Sequence, residues 1–297
     1  MTTFANLVTG KRACRLAKAM GADISYEKVH TCVLITRAVG CATDNPVSRE
    51  ERAVSEREVV VHPNADLLAA ATAARLVTSL VDAQAAHGCA ALVLTGGRVG
   101  IAVLAHVRDS PARDAVDWST VDLYWGDERF LPSGHPDRNE TQARVALLDH
   151  VPVSPDRVHP MAPSDGEFGD DPDAAAAAYA EVLAQAEDID VCLLGVGEEG
   201  HTASLFPDSP AVHETEASVV AVRNCPKPPP TRVSLTLPAL RLASEVWLMT
   251  AGESKEEAVT LALTGADEIQ LPAAGARGRR RTLWLLDQPA AAGLTPA

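Results

Sequence analysis

From Glu58 onward, short apolar runs alternate with longer stretches of helical period. Val59-Val60-Val61 leads into an Ala/Leu-rich helix over about residues 65–86, and Ala91-Leu92-Val93-Leu94 closes at Thr95-Gly96-Gly97. A helix over about 101–108 precedes the run Val121-Asp122-Leu123-Tyr124-Trp125, and helices over about 139–148 and 172–186 follow. Further strands are predicted at 190–194, 218–222, 232–237, 246–249 and 282–286, with a helix at about 255–263 between the last two. Apolar runs without strict alternation indicate strands buried on both faces. Interleaved with helices, they form βαβ units. The pattern therefore predicts an α/β fold: a single Rossmann-like domain with a mostly parallel sheet covered by helices on both faces.

The first 53 residues follow no such pattern. They hold three of the five lysines and three of the six cysteines, and eight basic residues against five acidic ones. Residues 54–297 carry 18 basic against 35 acidic residues and use Arg almost to the exclusion of Lys. Residues 42–57 read as a linker. The stretch Lys28 to Ala38 predicts a short strand around Cys32-Val33-Leu34-Ile35. Residues 1–53 are thus an atypical N-terminal extension, dispensable to a domain spanning 54–297.

Composition narrows the function. With 46% hydrophobic and 22% charged residues, the chain has the make-up of a globular protein. No run of about 18 apolar residues occurs, so no membrane partner is expected. The formal net charge of −14 disfavours nucleic acid and requires that any anionic substrate be drawn by a local cluster of cations. The cysteines form no C-x-x-C pair and suggest neither a metal site nor a disulfide framework. Cys192, inside an apolar run, reads as a buried reduced thiol. A cytoplasmic location follows, and nothing in the pattern specifies an oligomeric state.

Ligands of open parallel sheets bind beyond the carboxyl ends of the strands. Four segments fall there. In Thr95-Gly96-Gly97-Arg98, paired glycines before a helix expose backbone N–H groups to an anion, and Arg98 supplies a bidentate cation. Three consecutive charges, Asp127-Glu128-Arg129, follow an apolar strand, with Asp137-Arg138-Asn139 close behind. Such a run suits a site where carboxylates orient hydroxyls or water and an arginine faces an anion. In Gly195-Val196-Gly197-Glu198-Glu199-Gly200-His201, glycines deliver a carboxylate and an imidazole two residues apart, the arrangement of a general base near neutral pH. Arg232 follows three prolines at the start of a strand. The plain readings of these segments are a tight βα turn, a surface ion-pair cluster, a structural histidine and an edge arginine. The cluster Arg277, Arg279, Arg280 and Arg281 reads as a solvated loop.

In this order, the segments resemble the 6-phosphogluconolactonase family, over about residues 58 to 293. The most specific elements are Trp125-Gly126-Asp127-Glu128-Arg129, Asp137-x-Asn139, Gly200-His201-Thr202-Ala203-Ser204-Leu205-Phe206-Pro207, and Gly252 with Lys255. The resemblance implies a parallel α/β fold shared with glucosamine-6-phosphate deaminases. It implies hydrolysis of 6-phosphogluconolactone in the pentose phosphate pathway, with a phosphorylated sugar lactone as partner and neither metal nor organic cofactor. His201, Glu199, Asp127, Glu128 and Arg129 are the implied catalytic group; Thr95, Gly96, Gly97, Arg98, Asn139, Arg232 and Lys255 are the implied substrate-binding group. In the implied mechanism His201 deprotonates a water that attacks the lactone carbonyl. Ser204 lacks a G-x-S-x-G surround and is not expected to be a nucleophile.

Two departures stand out. The family loop Ser-Gly-Gly-Ser-Thr-Pro is here Thr95-Gly96-Gly97-Arg98-Val99-Gly100, so two hydroxyls are replaced by Arg98 and Val99. The family's usual Asp two residues before the histidine is here Glu199. An amino-sugar phosphate isomerase or deaminase and a non-catalytic sugar-phosphate sensor are the competing readings. Arg129-Phe130 and the Thr-Ala-Ser-Leu-Phe-Pro run after His201 weigh against the first, and the intact charged residues against the second.

Overall fold

A computed structural model describes residues 56–294. The extension over 1–53, its predicted strand and most of the linker lie outside the described residues. Strands β1 (Glu56–His62), β2 (Ala90–Leu94), β3 (Val121–Trp125), β5 (Ile189–Gly195), β8 (Ala243–Thr250) and β9 (Arg281–Asp287) form one sheet in the order β1-β9-β8-β5-β2-β3. Every pairing in it is parallel. All five residues of β2 are buried, as are six of seven in β9, so both faces of the sheet centre are covered. Trp125, Trp247 and Trp284 are buried on three of these strands and fill volume that the Ala-rich helices leave.

The helices start where side-chain acceptors permit. In α1 (Ala65–His87), Asn64 caps the Leu67 amide; it ends at Gly88, in the left-handed region. Helix α4 (Pro172–Leu183) begins at Asp171, which accepts from two amides, and sends Tyr179 to the sheet, where its hydroxyl accepts from the Trp125 amide at 2.8 Å. Helices α2 (Gly97–Asp109) and α3 (Asn139–Ala146) have no side-chain cap. Helix α2 begins four residues before the predicted start, and α3 and α4 end two and three residues before their predicted ends.

One sequence expectation needs correction. The strands predicted at 218–222 and 232–237 do not join the parallel sheet. As β6 (Val219–Val222) and β7 (Arg232–Leu235), they pair antiparallel with each other, and β7 pairs antiparallel with β4 (Asp127–Arg129), a stretch read as loop, in the order β4-β7-β6. Gly126 links the two sheets, donating to the Leu94 carbonyl and accepting from the Leu235 amide, each at 2.9 Å. The chain therefore turns out of β3 directly into the second sheet and carries Asp127, Glu128 and Arg129 with it.

The strand order fixes the site. From β2 the chain steps to β3 on one side, whereas β5 lies on the other side and leads on to β8 and β9. The loops after β2 and β5 diverge at this reversal, where a crevice opens at the carboxyl edge.

Candidate active site

The crevice holds a cleft of about 230 Å³. Among its walls are Thr95 to Gly100 after β2, Asp127 and Arg129 from β4, Asn139, His201, Arg232 from β7 and Lys255. Ten of the twelve sequence-predicted residues line it; Glu128 and Glu199 do not.

Asn139 organises one wall. Its amide nitrogen donates to the Asp127 carbonyl at 2.8 Å and to Asp127 Oδ1 at 3.2 Å, and its Oδ1 accepts from Arg129 Nη1 at 2.9 Å. The same Oδ1 touches the β2 loop so closely that a Cβ at position 96 would lie 1.9 Å away, which is why glycine stands there. Helix α2 starts at this contact without a side-chain cap. Its first-turn N–H groups and the positive end of its dipole are therefore free for an anion. Arg98 projects from that turn, exposed, and among the described residues it has no ion-pair partner.

Glu128 is buried. Its carboxylate accepts from the amides of Arg129 and Asn139 at 2.7 Å and of Glu140 at 2.9 Å, with Arg138 at 3.7 Å. It thus supplies from β4 the acceptors that α3 lacks locally. Burial pushes its carboxyl up to about 7, against the pull of Arg138 and the three amides. Asp127 is committed too: Oδ2 accepts from the buried Ser204 hydroxyl at 2.6 Å and lies 3.8 Å from Arg232 Nη1. That contact gives Ser204 a structural partner.

His201 lies on a backbone hairpin, with Gly197 donating to the His201 carbonyl at 2.8 Å. Its ring stacks on Phe206 at a centroid distance of 4.4 Å. Nδ1 sits 3.2 Å from Glu199 Oε1, close enough for an ion pair but off hydrogen-bond alignment. Among the described residues Nε2 has no protein partner. Burial pushes the imidazole below its usual 6.5, against the opposing pull of Glu199. Glu199 in turn carries Lys227 Nζ on Oε2 at 2.8 Å. Burial opposes its ionisation, but that ammonium, a backbone amide and His201 hold its carboxyl down to about 2.

Sequence reasoning missed Lys227. A compositional signal was available: Lys227 and Lys255 are the sole lysines after residue 28 in a chain that otherwise uses arginine, and both stand at this site. Lys255 lies 3.8 Å from Glu198, and burial lowers its ammonium from its ordinary value. The arginine cluster at 277–281 is elsewhere, paired with Glu268, Asp188, Glu245 and Glu58.

Residues 63–284 match the family model described as glucosamine-6-phosphate isomerases/6-phosphogluconolactonase. A protein of Streptomyces coelicolor named 6-phosphogluconolactonase is 61% identical over 246 residues, covering 80% of this chain and 94% of its own. One of Mycobacterium tuberculosis with the same name is 52% identical over 243 residues, covering 80% and 98%. The solved 6-phosphogluconolactonase of Trypanosoma brucei superposes with a TM-score of 0.71 at 26% identity, covering 81% of this chain and all of the other. With similarity of this degree over nearly the full length of these relatives, the chain belongs to the 6-phosphogluconolactonase family.

Proposed function

We propose that the protein hydrolyses 6-phospho-D-glucono-1,5-lactone to 6-phosphogluconate, a step of the pentose phosphate pathway. The observation that carries this reading is one cleft holding both an imidazole with a free Nε2 and an uncapped helix N-terminus beside Arg98 and Lys255. Family membership supplies the substrate class.

The phosphate lies against the first turn of α2, where the N–H groups, Arg98 and Lys255 offset its charge. This local cluster answers the net charge of −14, which otherwise repels an anion. Among the missing hydroxyls of the loop, Arg98 replaces the hydrogen bonds with a charged fork. The lactone ring then extends toward His201. Glu199, ionised beside Nδ1, favours the tautomer with its proton there and leaves the lone pair at Nε2.

Nε2 takes a proton from water, and the water oxygen forms a bond to the lactone carbonyl carbon. Arg129 faces the cleft with two nitrogens that have no partner among the described residues, and it stabilises the resulting oxyanion. The tetrahedral carbon then expels the ring oxygen, which receives the proton from His201. The product is the open-chain acid, and no covalent enzyme intermediate forms. Asp127 and Asn139 hold Arg129 and the β2 loop in register. The same reading places the enzyme in the cytoplasm, in keeping with free thiols at Cys89, Cys192 and Cys225.

The test is production of 6-phosphogluconate from freshly generated lactone, measured against spontaneous opening. A rate no higher than background overturns the proposal.

A further inference from the structure

The mechanism above leaves Lys227 without a task. It lies in the irregular segment between β6 and β7, on the approach to Pro228-Pro229-Pro230. Arg232 fixes the course of that segment. Its Nε donates to the Pro229 carbonyl at 3.2 Å, and its Nη2 donates to the carbonyls of Lys227 at 3.1 Å and Pro228 at 3.2 Å. Three donors of a buried guanidinium are thus spent on three consecutive carbonyls, and Nη1 alone remains toward Ser204 and the cleft. Held this way, the segment brings the Lys227 ammonium onto the outer oxygen of Glu199, whose inner oxygen faces His201.

We infer that Lys227 is a positioning residue for the hydrolysis: it holds Glu199 against His201, and Arg232 is the clamp that holds Lys227 in place. As a statement about catalysis this rests on the lactonase reading; as a statement about the imidazole's surroundings it does not. Glu199 is one-third exposed and has three rotatable bonds, so without a cation on its outer oxygen it gains freedom by swinging into water. The charged groups acting on His201 are Glu199 and, beyond it, Lys227, with Asp127 from β4; Lys255, paired with Glu198, also feels the Glu199 charge. Lys227 disfavours the imidazolium, whereas Glu199 and Asp127 favour it. Removing the ammonium with Glu199 left in place would raise the protonation midpoint of His201, whereas releasing Glu199 takes away the larger, favourable charge and lowers it.

The experiment compares the full-length chain with Lys227→Met and Lys227→Arg. The His201 imidazole is titrated by NMR, its resonances assigned by their loss in His201→Asn, and lactone kinetics are measured in parallel. Lys227 is partly exposed, so both variants fold, and their melting temperatures verify this. Lys227→Met should lower the midpoint by about half a unit or more, because the carboxylate that favours the imidazolium leaves it. Its kcat should fall roughly tenfold with KM within about twofold, as for a displaced catalytic group, and Lys227→Arg should restore both. An unmoved or raised midpoint with unchanged kcat overturns the inference, because it leaves Glu199 in place without Lys227. So does a KM rise of about fivefold or more with kcat and midpoint unchanged, which assigns the ammonium to the phosphate instead. If wild-type protein opens no lactone while the midpoint still falls in Lys227→Met, the reaction reading falls and the link from Lys227 to His201 stands.

Discussion

Adding a single methyl group at Gly197 drives it into His201. A Cβ there would lie 1.9 Å from Nδ1, 2.2 Å from Cε1 and 2.8 Å from Glu199 Oε2. Ordinary contact begins near 3.4 Å, so the ring must retreat by about 1.5 Å, the difference between 3.4 and 1.9 Å. The backbone cannot yield in its place, because residue 197 donates to the His201 carbonyl at 2.8 Å and accepts from the Gly200 amide at 3.2 Å. Retreat also weakens the stack on Phe206. Misplacing a reacting group by about 1 Å can cost about 10²-fold, so Gly197→Ala should lower kcat by about 10²–10³-fold. KM should hold within about threefold, since the proposed phosphate contacts lie on α2 and at Lys255. Overpacking strain of about 1–3 kcal/mol would lower Tm by up to about 10 °C in a domain of this size. Initial rates of 6-phosphogluconate formation, corrected for spontaneous opening, decide the matter. A kcat above about a third of wild type would show that the imidazole performs no proton transfer at the position the structure gives it.

His201→Asn should reduce kcat at least about a hundredfold with little change in KM, and should abolish an acidic limb that burial places below 6.5. Arg98→Ala should raise KM for the phosphorylated lactone by roughly tenfold or more and spare the unphosphorylated one, whereas Arg232→Ala should depress kcat on both by releasing the Lys227 segment. Glu128→Gln leaves one of three amides facing a poor acceptor, and should cost about 1–3 kcal/mol in urea unfolding. The folded state binds the Glu128 proton more tightly than the unfolded chain, so this group's contribution to stability falls as pH rises from 4.5 to about 7; the variant should flatten stability across that window. Truncation to residues 54–297 should shift Tm by less than about 4 °C, given the change of composition at that point and relatives covered almost entirely by some 243 residues of this chain; a larger loss overturns the proposed division.

The parallel sheet was legible because its strands, buried on both faces, leave runs such as Ala91 to Leu94 that no amphipathic helix requires. The second sheet was not, because β4, β6 and β7 are three or four residues long and β4 consists of three charged residues. Asp127-Glu128-Arg129 reads as a polar loop by any hydrophobic criterion. It is a strand because its backbone pairs with Ser234, Val233 and Arg232, contacts more than a hundred residues distant that leave no local trace. The same pairing reverses the expected part of Glu128. A charged residue after a strand suggests a cleft wall, yet the turn into β4 sends this carboxylate beneath α3, whose two open amides, at Asn139 and Glu140, explain why it is buried.

For the site, the legible residues were those whose type alone limits their use: a histidine among glycines, an arginine after three prolines. The illegible ones act through position. Glu199 was expected near His201, and the structure puts it there, but nothing at positions 199 and 201 announces that an ammonium 28 residues away occupies its other oxygen. Arg232 was expected at the site as a phosphate ligand, and it lines the cleft, yet most of its donors hold the segment that carries that ammonium. A guanidinium can brace three carbonyls because its donors form a rigid fork; a lysine at 232 could not. A compact ammonium can meet a single carboxylate oxygen at the end of a flexible stem, which suits Lys227. The two cations are therefore not interchangeable. In a chain where arginine supplies nearly all the positive charge, the choice of lysine at 227 and 255 is itself the trace of the cleft in the sequence.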